Sequence, residues 1–105
     1  MNVLAAAQSA LDAFSTAQAV TANNIANVNT EGFAPSRVDF EERLGYGGVG
    51  VSDIVTADAA ADGASGTDLA VEMTSLIVNE RSFEASAAVV ATQDEMLGTF
   101  LDHVV

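Results

Sequence analysis

Residues 4–30 read LAAAQSALDAFSTAQAVTANNIANVNT. Stepping through them by threes and fours picks out Leu4, Ala7, Leu11, Phe14, Gln18, Thr21, Ile25 and Val28. That seam keeps the heptad period for nearly four repeats and predicts one long helix. The rest of its surface is unusual, because Asp12 is the one ionisable side chain among these residues and the others are Ala, Ser, Thr, Gln and Asn. A solvated helix carries charge on its outer face, so this one is prepared for contact on several sides. Asn27, Asn29, Thr30 and Gly32 then tolerate left-handed backbone and close the helix.

Working outward, Arg37-Val-Asp-Phe-Glu41 alternates polar and apolar residues, and after a Gly-rich turn Val49 and Val51 resume the alternation. A β-hairpin fits residues 32–56. Residues 57–66 hold Ala, Asp, Gly and Ser with no large apolar side chain, which predicts a flexible linker with little packing. Thr67 or Asp68 can cap a second helix over 67–105, and Asp68 and Glu72 suit the positive end of its dipole. Its seam is Leu69, Met73, Leu76, Glu80, Phe83, Ala87, Val90, Asp94, Leu97 and Leu101. At 1.5 Å rise per residue that helix is about 50 Å long. Glu80 and Asp94 interrupt the seam, either solvated at its edge or meeting partners from another subunit.

The expected fold is mainly α: two long antiparallel helices forming a helical hairpin or coiled coil, with a small β-hairpin between them. Residues 1–31 form the first helix. Leu11, Phe14 and Ile25 should face Met73, Leu76, Phe83 and Val90 across the seam. A chain of 105 residues allows one small domain. Twenty of its residues are Ala and six are aromatic, a composition for close helix contacts rather than a large core.

Fifteen acidic residues stand against Arg37, Arg43 and Arg81 with no Lys, a net charge of −12. Nucleic acid and anionic membrane surfaces would find no counter-charge, which argues against both as partners. The absence of Cys rules out disulfides, thiolate nucleophiles and Cys-ligated zinc. Residues 1–28 lack the basic start and compact apolar stretch of a cleaved secretory signal, and no run approaches a membrane span.

Catalytic motifs are equally scarce. Gly45, Gly47 and Gly50 satisfy G-x-G-x-x-G, but acidic residues precede them and a strand-like stretch follows, so a hairpin turn is the better reading than a nucleotide loop. His103 lies where helix ends fray. Neighbouring carboxylates such as Glu41 with Glu42 and Asp94 with Glu95 point in different directions and cannot share a substrate. No loop has calcium-binding spacing. Neither an enzyme nor a cofactor is expected.

The strongest local signal is four Asn within seven positions, Asn23, Asn24, Asn27 and Asn29. A helix cap alone explains one or two. The run Ala22-Asn-Asn-Ile25-Ala-Asn-Val-Asn-Thr-Glu-Gly32-Phe33 closely resembles the N-terminal signature of bacterial flagellar rod and hook proteins. The other end agrees independently. Asp68-Leu-Ala-Val-Glu-Met73, Asn79-Glu-Arg-Ser-Phe83-Glu-Ala-Ser86 and Asp94-Glu-Met-Leu97 resemble the C-terminal signature of the same axial proteins. Between them, residues 37–41 and 48–55 are similar to the proximal-rod subgroup. Three departures stand out: Ala34 where relatives commonly carry Lys or Arg, a short stretch between hairpin and second helix, and no Lys.

The resemblance implies a structural rod subunit exported without a cleaved signal through the flagellar secretion apparatus. It would assemble with itself and other rod subunits in the periplasmic basal body and transmit motor torque to the hook. It also implies that Leu4, Leu11, Phe14, Asn23, Asn24, Ile25, Asn27, Asn29, Gly32, Phe33, Leu69, Met73, Leu76, Phe83, Val90, Leu97 and Leu101 serve helix packing and assembly. The competing reading is a helical export adaptor or chaperone that holds basic clients on an acidic surface, but such a protein needs no paired terminal signatures.

Overall fold

A computed structural model describes residues 3–45 and 47–104. Residues 1, 2 and 105, expected to fall at helix ends, lie outside the described residues, as does Tyr46 in the hairpin turn. The order is α1 (Val3–Ala26), β1 (Ser36–Glu42), β2 (Val49–Thr56) and α2 (Leu69–Val104). The two long helices pack against each other and the hairpin lies against α1, giving an elongated body of 68 × 25 × 13 Å.

The helices run antiparallel, the end of α1 lying by the start of α2 and the start of α1 by its later turns. Thr67 donates its Oγ1 hydrogen to the Asn24 carbonyl at 3.1 Å, Asn79 Nδ2 to Thr21 Oγ1 at 3.3 Å and Gln18 Nε2 to the Leu76 carbonyl at 3.3 Å. Leu4 and Gln8 meet the stretch from Ala87 to Leu97 at the far end. The shared surface differs from the expected one on the α2 side. Leu76 and Val90 are partly covered there, but Met73 and Phe83 stand exposed. The covered stripe of α2 runs through Ser75, Asn79, Ser82, Ser86, Val90 and Gln93 in steps of three and four, and none of α2 is fully buried. Small and polar side chains let the two backbones approach closely, so they take the inner face although larger residues lie on either side of them.

On α1 the buried residues are Ala7, Ser9, Ala13, Ala17, Thr21 and Asn24. They serve two contacts, because α1 lies between α2 on one side and the hairpin on the other. The apolar core itself consists of three alanines, Ala7, Ala13 and Ala17.

The hairpin is antiparallel from Ser36 opposite Thr56 to Glu42 opposite Val49. Asp39 pairs with Asp53 but Phe40 with Val51, leaving Ser52 as the extra residue of a bulge; its hydroxyl donates to the Asp39 carbonyl at 3.0 Å. Gly45, Gly47 and Gly48 lie between the strands and have positive φ, whereas Gly50 is within β2 opposite Glu41. Residues 57–66 form neither helix nor strand, and hydrogen bonds rather than apolar packing hold them. Gly32 N–H donates to the Gly63 carbonyl at 2.8 Å, Gly66 N–H to Phe33 at 2.9 Å and Ala57 N–H to Pro35 at 2.8 Å.

Candidate assembly surface

The asparagine cluster builds the joint where the elements meet, and its members have different parts in it. Asn24 is 1% exposed. Its Nδ2 donates to the Ser36 carbonyl at 2.7 Å and its Oδ1 accepts from Ser36 N–H at 3.0 Å, so the side chain pairs with the first residue of β1 as another strand would. Its own carbonyl receives Thr67 Oγ1 from the entry to α2. One residue thus joins α1, β1 and the approach to α2.

Asn27 closes the end of α1 and holds the connection. Its Nδ2 donates to the Asn23 carbonyl at 2.9 Å, its Oδ1 accepts from Thr30 Oγ1 at 3.0 Å, and its carbonyl receives Ser65 Oγ at 2.8 Å. Asn23 and Asn29 are exposed. Gly32, also exposed, has φ +72°, the left-handed turn that sends the chain into the hairpin. Phe33 is half-buried and its carbonyl accepts from Gly66 N–H. At the start of α2, Asp68 is the cap: its Oδ1 accepts from Ala70 N–H at 3.1 Å and Val71 N–H at 3.3 Å, while Thr67 is engaged with Asn24.

A second pin holds the far end of the hairpin. Ser9 Oγ accepts from Val49 N–H at 3.1 Å and donates to the Ala6 carbonyl at 2.7 Å. Gly48, with φ +93°, lies directly against it; a β-carbon there would run into the Ser9 hydroxyl and come within 3.2 Å of Ala6 Cα. Between the pins Phe14 meets Phe40 edge to face, ring centres 5.8 Å apart. The sequence carries no motif for the parts taken by Ser9 and Ser65, and it offers Thr67 as a helix cap rather than as the bond to Asn24 and Gly48 as part of a Gly-rich turn rather than as the close approach to Ser9. Only the position of Ser9 within an Ala-rich face could have signalled its role.

The large apolar residues singled out from the sequence lie mostly outside these contacts. Leu11, Phe14, Ile25, Leu76 and Val90 are half-buried, whereas Leu4, Leu69, Met73, Phe83, Leu97 and Leu101 are exposed. Val71, Ile77, Val78, Met96, Phe100 and Val104 of α2 join them on the surface. Two ion pairs occur among the described residues, Arg37–Asp39 at 3.2 Å and Arg81–Glu84 at 3.7 Å, both exposed and of little energetic weight. Glu80 and Asp94, the two interruptions of the seam, face solvent. Among the described residues no group of three or more His, Asp or Glu side chains could hold a metal ion. No described helix is long and apolar enough to cross a membrane.

An Ala core, a joint of paired asparagines and a surface of large apolar residues describe a part made to be covered by others. Two family models match the chain at its two ends. Residues 4–33 match the flagella basal body rod protein model, and residues 61–102 match the model of the flagellar basal body rod FlgEFG protein C-terminal region. The chain belongs to the flagellar basal-body rod family. The two matched segments contain α1 with the Asn joint, and α2 with its cap, which are the elements that pack together here. Members of this family are structural and non-enzymatic, so the chain is a rod subunit of the flagellum that assembles with other rod subunits. No curated protein matches the chain significantly.

Proposed function

We propose that this rod subunit polymerises with itself and with other axial subunits through its terminal helices, in the proximal rod, as a protein of the C type, and so transmits motor torque to the hook. The observation that carries this reading is the inversion of side-chain size. Alanine fills the interior, while Leu69, Met73, Ile77, Phe83, Met96, Phe100 and Leu101 are exposed along α2. Full burial of a large exposed side chain contributes about 1.5–3 kcal/mol, and these, 41–63% exposed, have about half of that still to release, more than an Ala contact supplies. A large share of the chain's apolar free energy is therefore left to be released on association.

Heterologous contacts that do not close into a ring generate a helical tube, the shape a rod requires. The regions act as one axial-core unit: a region 1–31 built on α1, loop and hairpin over 32–56, linker over 57–66 and a region 67–105 built on α2. Eight of the seventeen seam and joint residues named from the sequence divide between two tasks. Asn24, Asn27 and Gly32 set the joint, and Leu69, Met73, Phe83, Leu97 and Leu101 meet neighbours. Export proceeds through the flagellar secretion apparatus with α1 uncleaved, and the chain reaches the periplasmic part of the basal body.

Fractionation of intact hook-basal bodies tests the reading. The chain should be a stoichiometric component of the purified rod. Retention of the whole pool in the cytoplasm, bound to basic export clients, would replace it with the adaptor reading.

A further inference from the structure

The two helices are unequal in length, and the longer one changes character where the shorter one stops. α2 has 36 residues against 24 in α1, a difference of about 18 Å at 1.5 Å rise per residue. Leu4, near the start of α1, lines a groove with Asp94 and Leu97, so α2 continues beyond the first turn of α1 by most of that difference. Every residue of α2 from Asp94 to Val104 is exposed.

The steps of three and four that place Ser82, Ser86, Val90 and Gln93 against α1 continue without a break to Leu97, Phe100, Leu101 and Val104. The stripe that packs on α1 is thus prolonged past it, and its chemistry turns from small and polar to large and apolar. Met96 adjoins it. These five side chains are between 53% and 67% exposed.

Among the described residues, the outer face of α1 is a surface suited to cover them. That face, through Ala19, Ala22 and Ala26, is exposed and has small side chains, with Ser15 at its edge in the groove beside Glu80 and Glu84 of α2. Asp12 is the one charged residue of that helix, whereas the hairpin strands carry Asp39, Glu41, Glu42 and Asp53, and α2 carries Glu72, Glu80, Glu84, Asp94, Glu95 and Asp102. Two chains of net charge −12 repel wherever those carboxylates approach, and least where the surface is uncharged. Large side chains on one helix and small ones on the other also interdigitate at short interaxial distance.

We infer that the last turns of α2, presenting Met96, Leu97, Phe100, Leu101 and Val104, dock a second copy of this chain, which offers the outer face of its own α1. The occupant continues the seam that α1 leaves unfinished. The contact joins different surfaces on the two copies, so it propagates instead of closing into a dimer. It rests on the assembly reading above and specifies the surfaces that reading uses.

Because the sequence contains no Cys, disulfide trapping gives an unambiguous test. Phe100→Cys and Ala19→Cys proteins are mixed, concentrated to assembly and oxidised. A disulfide between the two variants, absent when either is oxidised alone, is the expected result. Cross-linking of Phe100→Cys with itself would instead mean that two α2 ends meet back to back and would overturn the proposal. Separately, Phe100→Asp and Leu101→Asp should raise the concentration needed for assembly at least about tenfold. They should leave the far-UV circular dichroism of the subunit unchanged, because both side chains already face solvent; unaltered assembly would count against the contact. Failure of the unaltered chain to assemble alone would exclude a second copy as the occupant, whereas its presence or absence in purified basal bodies decides the rod reading independently.

Discussion

Replacing Asn24 by Ala removes a side chain that is 1% exposed and makes two hydrogen bonds to the backbone of Ser36, at 2.7 and 3.0 Å. Ser36 is half-buried, so water entering the vacated space recovers part of the loss at its N–H and carbonyl. Each hydrogen bond of this kind contributes about 0.5–1.5 kcal/mol net, and a group left unpaired in a covered site costs about 1–3 kcal/mol. A destabilisation of about 2–3 kcal/mol follows. The substitution also gains helix propensity, so Asn23→Ala is the proper reference: Asn23 is exposed on the same helix and gains the same propensity. Urea titration in the presence of a stabilising osmolyte measures both variants against the unaltered chain. Asn23→Ala should remain within about 0.5 kcal/mol of it, and amide exchange at Ser36 should accelerate in Asn24→Ala alone. If the two variants had equal midpoints, Asn24 would not be the residue that joins hairpin and helix.

Three further outcomes are expected. Gly48→Ala should cost about 2 kcal/mol and expose the Val49 amide to exchange, because it combines a positive φ with displacement of the Ser9 hydroxyl, whereas Gly45→Ala, with φ +92° and open space around it, should cost only the backbone part of about 1 kcal/mol; equal losses would refute the close approach. Deleting α1 should abolish secretion by the flagellar route, which immunoblotting of the culture medium in an export-competent strain would show; continued appearance of the truncated chain outside the cytoplasm would place the recognition signal elsewhere. Raising NaCl from about 0.1 to 1 M shortens the Debye length from about 10 to 3 Å, so light scattering should detect assembly at lower protein concentration; inhibition by salt would mean that ionic rather than apolar contacts join the subunits.

The long helices were legible because hydrophobic period and end signals agree along each of them. The α1 seam through Gln18 and Thr21 does face α2, while Phe14 lies at its edge and packs on Phe40 of the hairpin. Its second buried face, through Ser9, Ala13 and Ala17 toward the hairpin, was not, because Ala and Ser carry no contrast against the equally small residues around them. The same limit explains α2. Period analysis weighs side chains by size and chose Leu69, Met73 and Phe83, while the structure turns Ser75, Asn79, Ser82 and Ser86 inward, where closeness matters more than bulk. The asparagine cluster was visible as a cluster, but neighbouring asparagines look alike in sequence. Only the position of Ser36, 12 residues further on, distinguishes the buried Asn24 from the exposed Asn23. The bulge at Ser52 left no sign, since the apolar alternation tolerates one inserted polar residue.

On the export proposed above, the inversion of side-chain size bears on how one chain could pass a narrow channel and still form a stiff rod. A core of Ala7, Ala13 and Ala17 buries little area, so apolar packing adds little to the stability of the lone subunit. Its shape is set instead by directional bonds: Asn24 with Ser36, Ser9 with Val49, Thr67 with Asn24 and Ser65 with Asn27. Such bonds specify geometry at small net free energy, because unfolding exchanges them for water. A subunit held this way opens readily and closes to one arrangement. On the assembly proposed above, the exposed side chains of α2 contribute only part of their apolar free energy until neighbours cover them, and the rest then helps hold the polymer. Hydrogen exchange on the dilute subunit should therefore show weak protection along Val3–Ala26 and Leu69–Val104, rising on assembly. Strong protection of α1 in a verified monomer would mean that the joint and the Ala seam suffice by themselves, and the exposed residues of α2 would then need another explanation than deferred folding.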